Sequence, residues 1–150
     1  MVVHPVWRRS LDLVEISLIP SNKVHLIWPQ AGPLIEKALN ITPGRWGSGD
    51  IFMQSSEGHQ GLWVVMKEDK VIAAFTTRIY EVPQARVCSV EWVGGEQMEL
   101  WADQAVEIIE DYGRAAGCNK VEGHGRMGWS KLMKKHDWKF LAISHEKDIQ

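Results

Sequence analysis

Cysteine is nearly missing from this chain. Two occur in 150 residues, Cys88 and Cys118, far apart in sequence. That excludes a disulfide scaffold and leaves free thiols in a reducing compartment as the expectation. No C-x-x-C pair and no His/Cys ligand spacing is present, so no metal site is expected. Long apolar runs are absent too. No segment reaches the ~18–20 apolar residues of a membrane span, and residues 1–10 lack the ~7–15-residue apolar stretch of a signal peptide. An excess of positive charge is also lacking: 17 Lys and Arg stand against 19 Asp and Glu, for a net charge of −2. Nucleic-acid binding draws on a concentrated basic surface that releases counterions. Neither a nucleic acid nor a membrane is therefore expected as a partner. Phe and Tyr are scarce, with 3 and 2 copies, whereas Trp has 8. Indoles carry a large apolar area and one donor, which suits cores and binding faces alike. There is no repeat and no low-complexity linker, and the length fits one domain.

Residues 13–19 are aliphatic and β-branched and end at Pro20, which predicts a strand. Leu34, Ile35, Ala38 and Leu39 share one helical face, predicting a helix over 28–39 with Pro29 in its first turn. Glycines and Pro43 make 41–49 a loop. Ser48 or Asp50 then caps a short helix to about Ser56. Residues 62–66, 71–80 and 86–93 read as three consecutive antiparallel strands, the first two joined by the tight turn Lys67-Glu68-Asp69-Lys70. Gly94-Gly95 stops the third.

The strongest helical pattern runs over 98–116, with Trp101, Ala105, Ile108, Ile109 and Tyr112 on one face. Acids crowd its start and Gly117 follows its end. A short strand at 120–123, a helix up to His136 and a last strand at 138–144 complete the order. Antiparallel strands followed by a β-α-β unit predict a mixed, mostly antiparallel α/β sheet flanked by helices.

This order resembles the GNAT fold, that of the Gcn5-related N-acetyltransferases. The likeness in element order spans nearly the whole chain. The segment Gly117-Cys118-Asn119-Lys120-Val121-Glu122 looks like that family's helix end and following strand. Leu132-Met133-Lys134-Lys135-His136-Asp137-Trp138 resembles its later helix end. Trp63, Gly94-Gly95 and Gly125-Arg126-Met127-Gly128-Trp129 are similar to features of small GNAT-like proteins of tailed bacteriophages and prophages. That resemblance implies residence in a bacterial host cytoplasm or in a phage virion.

It also implies an activity and a site. Acetyl-CoA would be the cofactor, and a small amine or a protein amine the acceptor. Backbone groups at Val93 would meet the cofactor. Its pyrophosphate would lie at a helix start, where free N–H groups favour anions. Counted back from Gly117, that loop is Gln97-Met98-Glu99-Leu100-Trp101-Ala102. Gln97 and Ala102 match the family pattern, whereas Leu100 replaces its central glycine. Glu96 and Glu99 add like charge, on the order of 1 kcal/mol each at close range. Met133 stands where many relatives carry a proton-donating Tyr.

Glu91 is the candidate general base. Strand alternation sets it beside Val87, Ser89 and Val93. Its alternative is a cross-strand charge partner. Arg126 is assigned to a cofactor phosphate, with a partner carboxylate or an internal acid as alternatives. His124 reads as a proton carrier or, more ordinarily, as a structural loop residue. Lys131, Lys134 and Lys135 meet a phosphate or simply form a solvated face.

Gly123-His124-Gly125-Arg126-Met127-Gly128 fits G-x-G-x-x-G, but three antiparallel strands precede it, which a doubly wound nucleotide-binding domain does not allow. Two functions remain open. One is an N-acetyltransferase with an altered phosphate loop. The other is a non-catalytic virion or interaction protein that binds phage structural proteins or copies of itself.

Overall fold

The computed structural model describes residues 7–11, 14–125 and 127–150, without the side chains of 7–11 and Met127. A six-stranded sheet keeps chain order in space: β1 (Trp7–Leu11), β2 (Val14–Ile19), β3 (Gly61–Lys67), β4 (Lys70–Val82), β5 (Ala85–Gly95) and β6 (Lys120–Gly123). The neighbours from β1 to β5 are antiparallel, and β6 lies parallel to β5. Helices α1 (Val24–Leu39) and α2 (Ser48–Ser56) cover one face, and α3 (Ala102–Ala115) covers the other. A short α4 (Ser130–Lys135) follows β6. This is the mixed sheet with flanking helices that the sequence predicts, with β1 as an added edge strand.

Each face has its own core. Val24, Ile27, Ala31, Ile35 and Leu39 recur at helical spacing along α1 and meet Ile19, Leu62, Val64 and Ala74. Ala105, Ile108 and Ile109 of α3 pack on Ile16, Val65, Cys88 and Val90. Trp63, 0% exposed, stacks on Phe75 at 5.6 Å and meets Tyr112 edge-on at 5.2 Å. Its indole N–H donates to Thr77 Oγ1 at 2.9 Å. Phe75 also stacks with Trp101 at 6.5 Å. Among the described indoles only Trp46 is exposed, at 42%. Trp63 and Trp101 are buried, and Trp28, Trp92, Trp129 and Trp138 are half-buried against the domain.

Three local readings change. Helix α1 starts at Val24, which puts Pro29 and Pro33 inside it. An interior proline costs about 3 kcal/mol. Burying each large apolar side chain contributes roughly 1.5–3 kcal/mol, so the packed face outweighs the breaks.

The helix predicted from residue 98 begins instead with a 3₁₀ turn at Met98–Leu100, and α3 proper starts at Ala102.

The last strand, expected at 138–144, does not form. Asp137 adopts φ 65° after α4, and the Trp138 indole turns back to donate to Glu110 on α3 at 3.1 Å. The following chain forms no helix or strand and lies in solvent, with Phe140, Leu141 and Ile143 at 63, 77 and 64% exposure. Glu146 then pairs with Arg45 at 2.9 Å.

Candidate active site

The site begins where β5 and β6 part. Their pairing runs from Val87↔Lys120 to Val90↔Gly123. One further bond, His124 N–H to the Val90 carbonyl at 3.0 Å, closes the shared stretch. Beyond it, among the described residues, no strand pairs with the β6-side edge of β5 from Glu91 to Gly95.

A bulge lies at the same point. Phe75 faces Val93 and Thr77 faces Val90, so Glu91 and Trp92 together oppose Thr76. The extra residue bends the strand and resets alternation. Val93 therefore packs on the α3 core alongside Val90, and Trp92 on the α1 core. The expected grouping of Val93 with Glu91 and Ser89 is corrected by that bulge. Gly94 is needed here because a Cβ would run into the Leu34 carbonyl of α1. Close helix contact thus holds the bent end of β5 in place.

A polar cluster surrounds Glu91. Arg78 on β4 donates from Nε to Glu91 Oε1 at 2.8 Å, and Ser89 Oγ donates to Oε2 at 3.2 Å. Glu122 on β6 stands beside Ser89 in the parallel register. Tyr80 donates its hydroxyl to Glu122 Oε2 at 2.8 Å. His124 Nε2 lies 3.1 Å from the same oxygen and 3.6 Å from Glu91 Oε2. Arg78 also stacks over the Tyr80 ring at 4.8 Å. The carboxylate side chains are 16% (Glu91) and 21% (Glu122) exposed, whereas His124 is 62% exposed.

Burial pushes the Glu122 carboxyl up, but hydrogen bonding, first from Tyr80 and then from His124, outweighs it and leaves the group below its ordinary value. Burial, then the bond to Glu122, raises the Tyr80 phenol. Among the described residues no His/Cys/Asp/Glu group has the arrangement of a metal site. Burial, with Cys118 nearby, pushes the Cys88 thiol up to about 12, so it is no nucleophile.

The loop before α3 is closed on itself. Gln97 adopts φ 55°, and its Oε1 accepts from Lys67 Nζ at 3.1 Å. Leu100 N–H donates to the Gln97 carbonyl at 2.9 Å, and Trp101 N–H to that of Met98 at 3.1 Å. The Trp101 indole donates to the Glu96 carbonyl at 2.8 Å. Ala102 lies in the core at 8% exposure, while Glu96 and Glu99 face solvent. A cavity of about 360 Å³ opens beside Lys67, Lys70, Glu96 and Gln97. It lies toward the β3–β4 hairpin, not toward the open edge of β5.

Arg126 lies outside the described residues. Met133 is half-buried, and Lys131 and Lys134 are exposed. Lys135 and His136 both reach Asp103 Oδ1, at 3.0 and 2.7 Å, and pin α4 to the start of α3. Hydrogen bonds from His136 and then Lys135 hold the Asp103 carboxyl below its ordinary value.

Glu91 was thus within reach of sequence reasoning, whereas Arg78, Tyr80 and Glu122 were not. Their only signal is two-residue spacing on neighbouring strands, which is uninformative until the β5–β6 register is known.

No family model matches the chain, and no curated protein matches it by sequence. Solved structures do match. An aminoglycoside acetyltransferase from an uncultured soil metagenomic sample, in complex with trehalose, aligns with TM-score 0.69 at 9% identity, over 92% of this chain and 97% of its own. Glucosamine-6-phosphate N-acetyltransferase from Arabidopsis thaliana aligns with TM-score 0.67 at 14% identity, over 93% and 100%. A predicted acetyltransferase from Clostridium acetobutylicum, solved with acetyl-CoA, aligns with TM-score 0.68 at 8% identity, over 91% and 96%. The chain has the GNAT acyl-CoA N-acyltransferase fold. Among the described residues no helix is long and apolar enough to cross a membrane.

Proposed function

We propose that this chain is an N-acetyltransferase that moves the acetyl group of acetyl-CoA to an amine. The observation that carries this reading is the coincidence of three features at one point: the β5 bulge, the end of β5–β6 pairing, and Glu91 within a polar cluster. The open β5 edge offers backbone groups at Glu91 and Val93 for the acyl-bearing arm. Bound there, acetyl-CoA supplies a thioester for a neutral amine to attack. Glu91 removes the proton that keeps an amine from being neutral. Arg78 holds Oε1 and leaves Oε2 as the proton acceptor. Leaving the helix start to Gln97 and Ala102 gives the phosphates a poor hold, because Leu100 and Trp101 already donate their N–H groups within the loop.

That last point favours a second reading, a non-catalytic protein on the same scaffold, such as a phage virion component. Fold alone does not choose between them. Calorimetric titration with acetyl-CoA does. Saturable binding at micromolar level, with free thiol released when an amine is added, upholds the enzyme. No heat at millimolar ligand sustains the scaffold reading and ends the other.

A further inference from the structure

We propose that residues 139–144 are a docking strand for a second copy of this chain, which they join along the free edge of its β6. The partner is the protein itself, and the contact is independent of whether the chain transfers acetyl groups.

The segment Lys139-Phe140-Leu141-Ala142-Ile143-Ser144 is apolar on both faces when extended. Side chains alternate along a strand, so Phe140 and Ala142 share one face and Leu141 and Ile143 the other. A run of that composition belongs in a sheet that is covered on both sides. Here it is left in water. Phe140, Leu141 and Ile143 are 63, 77 and 64% exposed. Among the described residues no backbone–backbone hydrogen bond holds residues 139–150.

The segment is tied at both ends. The Trp138 indole donates to Glu110 of α3 at 3.1 Å. Its ring lies at the end of β6, where a Cβ on Gly123 would meet Trp138 Cζ3 at 3.4 Å. Glu146 pairs with Arg45, between α1 and α2, at 2.9 Å. The residues between these anchors form no ladder with their own sheet.

The matching surface is on the same chain. β6 ends the sheet, so its outer edge has no strand partner among the described residues. Such an edge is a template for another strand. Beside it Val121, Trp129 and Leu132 pack on the α3 core yet stay half-buried. A strand added there would lay one apolar face against them.

One copy thus carries both halves of a joint, an apolar strand and a free edge. A second copy related by a two-fold axis uses each half once, and the assembly closes. Two added strands with the surfaces they cover come to roughly the 1,200–2,000 Å² of a standard stable interface. A lone peptide strand from an unrelated partner would cover about half of that, below the stable range. Area therefore favours the second copy.

Analytical ultracentrifugation of the full chain should show a dimer at micromolar concentration, twice the 17.1 kDa of one chain. The double variant Leu141→Asp, Ile143→Asp should weaken it roughly a hundred-fold, because two apolar contacts are lost and charge is placed on the strand. Both side chains are exposed in the single copy. The variant should therefore keep the circular dichroism and melting curve of dilute wild type. A wild type that stays monomeric throughout the micromolar range overturns the proposal. So does a dimer that the variant leaves intact.

Amide hydrogen exchange locates the joint. Residues 139–144 and 120–123 should gain protection together as concentration rises and lose it on dilution. Protection that ignores dilution would mean that the strand folds onto its own β6. Protection of 139–144 without 120–123 would put it on another edge. Either result overturns the proposal.

Discussion

The polar cluster at the β5 bulge and the loop that follows the end of that strand use hydrogen bonds in opposite ways. Around Glu91 the polar groups converge from three strands, and one carboxylate oxygen keeps its solvent-facing imidazole neighbour. Before α3, two backbone N–H groups of the loop are already used inside it. Leu100 and Trp101 donate within the loop, Gln97 is held by Lys67, and Ala102 is in the core. A helix start attracts anions through its free N–H groups, so each internal bond removes part of that attraction. The difference teaches that a strand and the loop after it can be built in opposite ways: one keeps a carboxylate oxygen beside an exposed imidazole, and the other satisfies part of its own backbone.

The largest expected effect breaks the comparison on the acceptor side. Glu91→Gln keeps the shape and the Arg78 contact but removes the base. Turnover of an alkylamine should fall by about 10²–10⁴-fold, with the acetyl-CoA dissociation constant within two-fold of wild type as roughly set by its distance from the loop. Steady-state kinetics and calorimetry on one preparation read both numbers. An equal loss of binding would mean that the two ends are not separable.

A smaller effect sharpens the other side. Glu96 and Glu99 are exposed acids next to the helix start. Each contributes about 1 kcal/mol of repulsion toward a phosphate at ~4 Å in water. Replacing both with Gln should tighten acetyl-CoA binding by roughly thirty-fold at low salt, and the gain should shrink as salt screens it. Unchanged affinity at low salt would place the phosphates elsewhere.

Much of this was legible in the sequence, and the failures share a cause. Local rules identified β2 to β6 but not β1, and the two-residue turn, where Glu68 and Asp69 take φ of 50° and 64°. They placed the stop of the third strand at Gly94-Gly95, whereas β5 runs through both glycines, paired with Ala74 and Ala73, and Gly94 lies against Leu34. Glu91 stood out because the family resemblance implies a carboxylate on the strand before the loop, and Glu91 lies on that strand. Its partners did not, because the Ser89↔Glu122 register is a parallel, non-local pairing that no local pattern encodes. Val93 was set on the wrong face because a bulge adds one residue and shifts every later side chain. The last strand was misjudged for a similar reason. Residues 138–144 have strand composition, but Asp137 and the Trp138–Glu110 bond direct them away from the sheet.

The smallest effect concerns stability and tests whether the acceptor cluster is as firmly knit as its distances suggest. The Glu122 carboxyl lies below its ordinary value in the folded protein, because its hydrogen bonds outweigh the cost of burial. A depressed carboxyl contributes stability that is fully present above the unfolded pKa, about 4.3 for Glu, and that is lost as pH falls through the folded value. The contribution therefore disappears on the acid side, below about pH 4.3, and not near neutrality. Glu122→Gln removes that titration. Chemical unfolding should show the variant less stable than wild type by roughly 1 kcal/mol at pH 7, with the gap narrowing as pH drops below 4. A gap that stays constant with pH would show that the bonds from Tyr80 and His124 do not depend on the charge of Glu122, and the contrast between a charged acceptor face and a self-satisfied loop would lose its electrostatic half.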